Sequence, residues 1–244
     1  KTTVIIIGGG TSGLMAAHQL DLANVSYILL EKNQLLGKKL LITGSSRCNV
    51  TNNRSNKEFI NDLTIDHKRF LYSTLSTFGP LEVIEFMKNK DVPLQLENNF
   101  KYFPQSNRSI DILKALSKEL KGTVMLNTAA ERIHINGNFT VYTSKGEIQS
   151  KYLIIATGSE SYPATGSTGD GLRFAKKLGH QTVPFYPAET NVYSSFIASK
   201  REQLQGIAIT NSIVRIKGTK TMYSGSILFT HNGVSGPVIQ HISE

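Results

Sequence analysis

Three segments of this 244-residue chain carry residue types, at spacings, that suit a phosphorylated ligand. The first is Gly8-Gly9-Gly10-Thr11-Ser12-Gly13, directly after the apolar run Val4-Ile5-Ile6-Ile7. Gly8 allows a tight turn, Gly10 lets the backbone approach a pyrophosphate, and Gly13 lets a helix pack near the strand. A second apolar run, Tyr27–Leu30, ends on Glu31, 18 residues beyond Gly13. There a carboxylate reaches ribose hydroxyls, which favours the unphosphorylated ribose of FAD or NAD over that of NADP. The second segment, Gly37 to Asn52, offers glycines for close approach, hydroxyls and amides on Thr43, Asn49 and Thr51, and cations on Lys38, Lys39 and Arg47. The third is Ala156-Thr157-Gly158, at the end of an apolar strand. In an open parallel sheet, ligands sit at the carboxyl ends of strands, so the first and third segments are expected at one edge.

Other chemically capable residues read more simply as structure. Cys48 is the only cysteine, which excludes an intrachain disulfide and a CxxC pair, and it reads as a small residue packed beside the ligand. Arg47 either offsets charge at the ligand or forms a structural ion pair, and both readings stay open. His231 lies in a turn signal, Thr230-His231-Asn232-Gly233, and Asp170 reads as a helix cap. Ser235, in Gly233-Val234-Ser235-Gly236-Pro237, lacks the strand–turn–helix context of a nucleophile elbow. Gly166 to Gly171 has the wrong spacing for a second dinucleotide fingerprint. No residue is assigned to catalysis, and no metal site is assigned.

The elements that position these residues follow from periodicity. A helix is expected over 12–23, with Leu14, Ala17 and Leu20 as its stripe and Ser12 or Thr11 near the N-cap. Residues 33–56 are polar, rich in Gly and Asn, and too long for an idle connection. Helices are expected over 68–78 and 81–90, broken at Gly79-Pro80 into a hairpin, and over 109–121, stopped by Gly122. Short strands are expected near 123–126, 130–135, 139–143 and 147–150, with Asn136-Gly137 as a turn. Tyr152–Ala156 is apolar throughout and reads as a separate strand buried on both faces. A glycine-rich loop, 164–171, leads into a helix over 171–178 closed by Gly179. Beyond about 188 the pattern is strand-like, at 191–193, 207–209, 213–216 and 227–230. A domain boundary is expected near Pro187, giving domains 1–187 and 188–244.

Composition sets the class. With 39% hydrophobic residues and no apolar run near the ~20 residues of a membrane span, a soluble, cytoplasmic protein is expected, with no membrane partner. Lys1-Thr2-Thr3 leads straight into the first strand, so no signal peptide is expected. The net charge of +9 is dispersed and reads as solvated surface, with nucleic acid the weaker interpretation.

GGGTSGLMAA, EKNQLLGKKLLITGSSRCNVTNN, YPATGSTGDG and LFTHNGVSGP resemble the BaiN-like (YhiN-type) bacterial NAD(P)/FAD-dependent oxidoreductase flavoproteins. The resemblance runs along essentially the whole chain, and TGxxRCNxTN is its most specific motif. It implies an α/β fold: a Rossmann-like FAD-binding domain of glutathione-reductase type and the start of a β-rich second domain. It also implies a C-terminal return to the FAD domain, absent here, and slightly short turns at Glu97–Phe103 and Leu120–Gly122. Carried over, Gly8, Gly10, Thr11, Ser12 and Gly13 would bind the pyrophosphate, and Glu31 the adenosine ribose, with Lys32 beside it. Lys38, Thr43, Gly44, Arg47, Cys48, Asn49 and Thr51 would line the flavin and its ribityl chain. Ala130 would meet the adenine through its backbone, and Ala156, Thr157 and Gly158 would cover the adenosine side. The implied activity is hydride transfer from a small-molecule substrate, such as an amine, onto the flavin. The alternatives are reduction of an unsaturated substrate with NAD(P)H, an RNA-modifying flavoprotein, and a non-catalytic FAD-binding protein.

Overall fold

The computed structural model describes residues 2–63, 65–97 and 100–243. The chain forms two compact units that divide between Thr182 and Val183. Asn98 and Asn99, inside the turn expected to be short, lie outside the described residues. In the first unit the elements run β1 (Thr2–Ile7), α1 (Thr11–Leu22), β2 (Tyr27–Leu30), β3 (Thr51–Asn52), α2 (Asn56–Asp62), α3 (Leu71–Thr77), α4 (Pro80–Asn89), β4 (Leu94–Glu97), β5 (Lys101–Pro104), α5 (Ser109–Ser117), β6 (Thr123–Met125), β7 (Ala130–Asn136), β8 (Asn138–Thr143), β9 (Gly146–Ile155) and α6 (Asp170–Lys177).

The main sheet has the order β6-β2-β1-β9-β8-β7. Its first four strands are mutually parallel, and β8 and β7 extend it antiparallel. β1 lies between two parallel neighbours, and Val4 to Ile7 are all buried, as its unbroken apolar run requires. Its side chains alternate between faces. Val4 and Ile6 join Leu14, Ala17, Ile112 and Leu116 in one core layer. Ile5 and Ile7 join Leu30, Val141 and Phe174 in the other. Each such aliphatic side chain contributes about 1.5–3 kcal/mol on burial.

The chain leaves β1 toward β2 on one side and returns as β9 on the other, so β1 is the point where strand order reverses. The crevice at the carboxyl ends of β1 and β9 is therefore the place for a ligand. α1 reaches it because Gly13 packs under the turn: a Cβ there would stand 1.9 Å from the Gly8 carbonyl oxygen. At its far end Asp21, buried, accepts from the Tyr27 hydroxyl at 3.0 Å and from the Lys121 amide at 3.3 Å.

Several local expectations change. Residues 147–150 and 152–155 are one strand, with Ala156 just beyond its end: Ser150 pairs with Phe139 in β8 and with Thr2 in β1, so β9 serves both halves of the sheet. Tyr152 is 52% exposed and Leu153 to Ile155 are only half-buried, so the strand buried on both faces is β1 instead. The N-cap of α1 is Gly10, without a side-chain acceptor, and Thr11 and Ser12 lie inside the helix. α5 ends at Ser117, and Gly122 is needed for a different reason: a Cβ there would lie 2.4 Å from the Tyr27 ring. Gly79-Pro80 does separate two helices, with Gly79 as the cap of α4. α3 packs on α2, where the Asn56 side chain donates to the Leu75 carbonyl at 2.7 Å. A small sheet, β3-β5-β4, was not foreseen.

The second unit contains β10 (Val192–Tyr193), α7 (Ser195–Ser199), α8 (Arg201–Leu204), β11 (Ala208–Arg215), β12 (Met222–Phe229), β13 (Gly233–Ser235) and α9 (Pro237–Ile242). Its antiparallel sheet has the order β10-β13-β12-β11. Residues 207–209 and 213–216 fall essentially on one strand, β11, whose register shifts between Ile209 and Ser212, with Asn211 left-handed at φ +58°. α9 packs on β12 and buries Val238 and Ile239. No helix among the described residues is long and apolar enough to cross a membrane.

Candidate functional site

The carboxyl ends of β1 and β9 open onto a cavity of about 610 Å³ within the first unit. Its first wall is the β1–α1 turn. Gly8 is left-handed (φ +108°), donates to the Leu30 carbonyl at 2.8 Å, and lies so close to β9 that a Cβ would meet the Ala156 oxygen at 2.4 Å. A Cβ on Gly10 would meet nothing within 4 Å, so its backbone faces open space. The first turn of α1 carries no acidic residue and no side-chain cap, and its leading N–H groups give the cavity a partial positive charge.

Glu31 forms the floor of one end of the cavity. It is 7% exposed. Its Oε2 accepts from the Gly9 amide at 2.8 Å, and its Oε1 from the Asn33 amide at 2.8 Å and side chain at 2.7 Å. The third wall is Ala156-Thr157-Gly158, with Gly158 left-handed at φ +75°. The Thr157 hydroxyl is buried and has no hydrogen-bond partner among the described residues. Ala130, at the start of β7, completes this side with Thr128.

The segment 161–170 crosses this end and is tied to the residues after β2. Lys32 Nζ donates to Asp170 Oδ2 and Thr168 Oγ1, both at 2.8 Å. Lys38 Nζ donates to the Ala164 carbonyl at 2.7 Å, and Lys39 Nζ to Ser161 Oγ at 3.1 Å. Burial pushes the Lys39 ammonium below its ordinary value. Asp170 is not the helix cap expected of it: Gly169 holds that position, and Asp170 instead pairs with Lys32 and Arg173. Burial alone would raise its carboxyl, but the bonded Lys32 and the nearby Arg173 hold it below the usual carboxylate range.

At the other end Thr43, Cys48 and Asn49 line the cavity from a tight loop in which Gly44, Ser45, Ser46 and Cys48 are all left-handed. Cys48 is 5% exposed, and burial pushes its thiol up. Arg47 does not line the cavity. Its guanidinium pairs with Glu97, donates to Asn107 at 2.8 Å and stacks 4.2 Å from the Phe103 ring centre. Gly13, Gly44 and Thr51 also stand behind the surface, Gly13 under the turn, Gly44 against Phe103 and Thr51 paired with Tyr102 in the small sheet. The remaining expected residues, from Gly8 to Gly158, converge on the one cavity.

Sequence reasoning missed two contributions. Met15, Val83, Phe86, Met87 and Leu116 give the far end an apolar wall, from helices whose stripes were legible but whose destination was not. Asn33, Thr165 and Ser167 line the Glu31 end, and Asn33 stands only two residues beyond the acid.

Comparison with known proteins agrees with the fold. The family described as HI0933-like protein Rossmann domain matches residues 2–242. The chain is 25% identical to the ribosomal RNA dihydrouridine synthase of Haemophilus influenzae over 98% of its own length and 60% of that protein. It is 26% identical to the 3-dehydro-bile acid delta(4,6)-reductase of Clostridium scindens over 96% of its own length and 58% of that protein. It thus spans about three-fifths of these relatives. Among solved structures, the open conformation of a flavocytochrome c3 fumarate reductase shares the fold, with a TM-score of 0.53 at 16% identity over 86% of this chain and 47% of that one.

Proposed function

The chain belongs to the HI0933-like Rossmann family, a Rossmann-type FAD-binding fold, and on that footing we propose that it is the cofactor-holding part of an FAD-dependent oxidoreductase that reduces an unsaturated substrate. The observation that carries the cofactor reading is the convergence of three glycine-bearing segments and one buried acid on one cavity. Two details support the fit: the buried Thr157 hydroxyl lacks a partner, and Gly10 presents bare backbone to the open space. Gly8, Gly10, Thr11 and Ser12 would hold the pyrophosphate, with Gly13 beneath them. Glu31 would hold the ribose, and Ala130, Ala156, Thr157 and Gly158 would flank the adenosine. Thr43, Cys48 and Asn49 would border the flavin, with Gly44, Arg47 and Thr51 shaping their loop from behind and Phe86 and Met87 excluding water; Lys38, expected there, is held instead at the Glu31 end by the Ala164 carbonyl. When bound, FAD supplies a carrier that passes two electrons as hydride to or from carbon.

The direction of the reaction rests on the relatives. Both names denote saturation of an unsaturated substrate, one in RNA and one in a small molecule. This supports reduction over oxidation of an amine. A basic net charge of +9 supports RNA as the second substrate class. The test is to saturate the protein with FAD, remove free cofactor and record the visible flavin spectrum. The flavin is then reduced anaerobically with NADH or NADPH, and a conjugated enone or a uridine-rich RNA is added. Retained flavin that is reoxidised by either unsaturated compound is the expected result. Protein that retains no flavin sinks the cofactor reading, and flavin bleached by amines but not reoxidised by either compound reverses the direction.

A further inference from the structure

We infer that Asn33 is a positioning residue for the ribose end of the cavity: its side-chain amide fixes the Glu31 carboxylate and ties it to the segment that crosses the site. The inference rests on the nucleotide reading above and concerns a residue outside the glycine fingerprint. Glu31 is buried, and no cation among the described residues pairs with it. Its charge is held by N–H donors alone: Gly9 on Oε2, and the backbone and side chain of Asn33 on Oε1. Each carboxylate oxygen accepts about two hydrogen bonds. Oε1 is therefore filled by Asn33, and Oε2 keeps one acceptor site for a ligand hydroxyl.

The orientation of the Asn33 amide is set by its surroundings. Nδ2 donates to Glu31 Oε1 at 2.7 Å and to the Thr165 carbonyl at 3.1 Å. Turning the amide over would place its oxygen against two acceptors. The Thr165 end is close because Gly166 follows it: a Cβ there would lie 2.6 Å from Asn33 Nδ2. An unbroken chain of hydrogen bonds thus runs from the Gly9 amide through Glu31 and Asn33 to Thr165, joining the β1–α1 turn to the crossing segment. Without the Asn33 side chain, Oε1 regains a free acceptor site and the carboxylate loses one of the three donors that hold its rotamer, the one that also ties it to Thr165.

A packing role and a donor role rank substitutions differently. Asn33→Asp keeps the shape but sets a second carboxylate against Glu31, whereas Asn33→Ala removes the donor alone. The probes are ADP and 2′-deoxy-ADP, measured by calorimetric titration, with thermal melting as the folding control. The wild type is expected to prefer ADP about tenfold, the size of one hydrogen bond to a charged acceptor. In Asn33→Ala that preference shrinks to about twofold, as the hydroxyl bond loses most of its strength. In Asn33→Asp, ADP binds more weakly than in Asn33→Ala. Asn33→Leu, close in volume and without a donor, gives the same narrowing should the alanine variant not fold. An alanine variant that keeps the full ADP preference, or an aspartate variant that binds like the wild type, overturns the inference alone. A wild type that binds neither probe, or both equally, overturns the ribose reading of Glu31 and this inference with it.

Discussion

Gly10 and Gly13 stand three residues apart and do different work. The place of Gly13 is filled by the Gly8 backbone, whereas Gly10 faces open space. Gly13→Ala is therefore expected to cost about 1–3 kcal/mol or more, because backbone cannot yield as a side chain does. Gly10→Ala should cost less, about 0.5–1 kcal/mol for the less favoured N-cap residue, and weaken FAD binding. Denaturant titration of both variants beside flavin retention separates the two effects. Cys48 makes a third residue-level prediction. Its buried, raised thiol should react slowly with a disulfide reagent at neutral pH in the folded protein and promptly once unfolded. Equal rates in both states would place the thiol at the surface. These positions were legible in the sequence because their roles follow from turn sterics and spacing. Asn33 was not, because its partner Thr165 lies 132 residues away.

At the level of elements, the contact between the residues after β2 and the start of α6 is electrostatic. The Asp170 carboxyl is held below its ordinary value in the folded chain, so this pairing contributes stability above the unfolded value of about 3.9. That contribution is lost as pH falls through the lower folded value. Asp170→Asn should therefore lower the melting temperature near neutral pH, and its gap to the wild type should close below about pH 3.9. A gap that is constant from pH 6 to pH 2 would remove Lys32 and Arg173 as the cause. Glycine and charge patterns placed a loop and a helix here but paired no charges. β9 shows the same limit: its polar first half and apolar second half read as two strands. Periodicity reports the environment of each half, whereas continuity is set by Ser150 pairing with both neighbours.

The two compact units meet in sequence within a stretch, 180–190, that has almost no regular structure and is mostly exposed. Limited proteolysis should cut there first and release a fragment ending near Thr182. First cuts inside the main sheet would argue against the division. Local chemistry written along the chain pointed to a dinucleotide ligand and determined the α/β character of the first unit and the glycine-bearing walls of the cavity. A glycine turn, an acid at a set distance and an apolar strand act within a few tens of residues. Only the tertiary structure decided that Arg47 turns away to Glu97, that Phe86 and Met87 wall the far end, and that Asn33 joins Glu31 to Thr165. Those outcomes depend on which surfaces meet when the sheet closes, and side chains distant in sequence settle them by competing for the same buried donors, acceptors and apolar space.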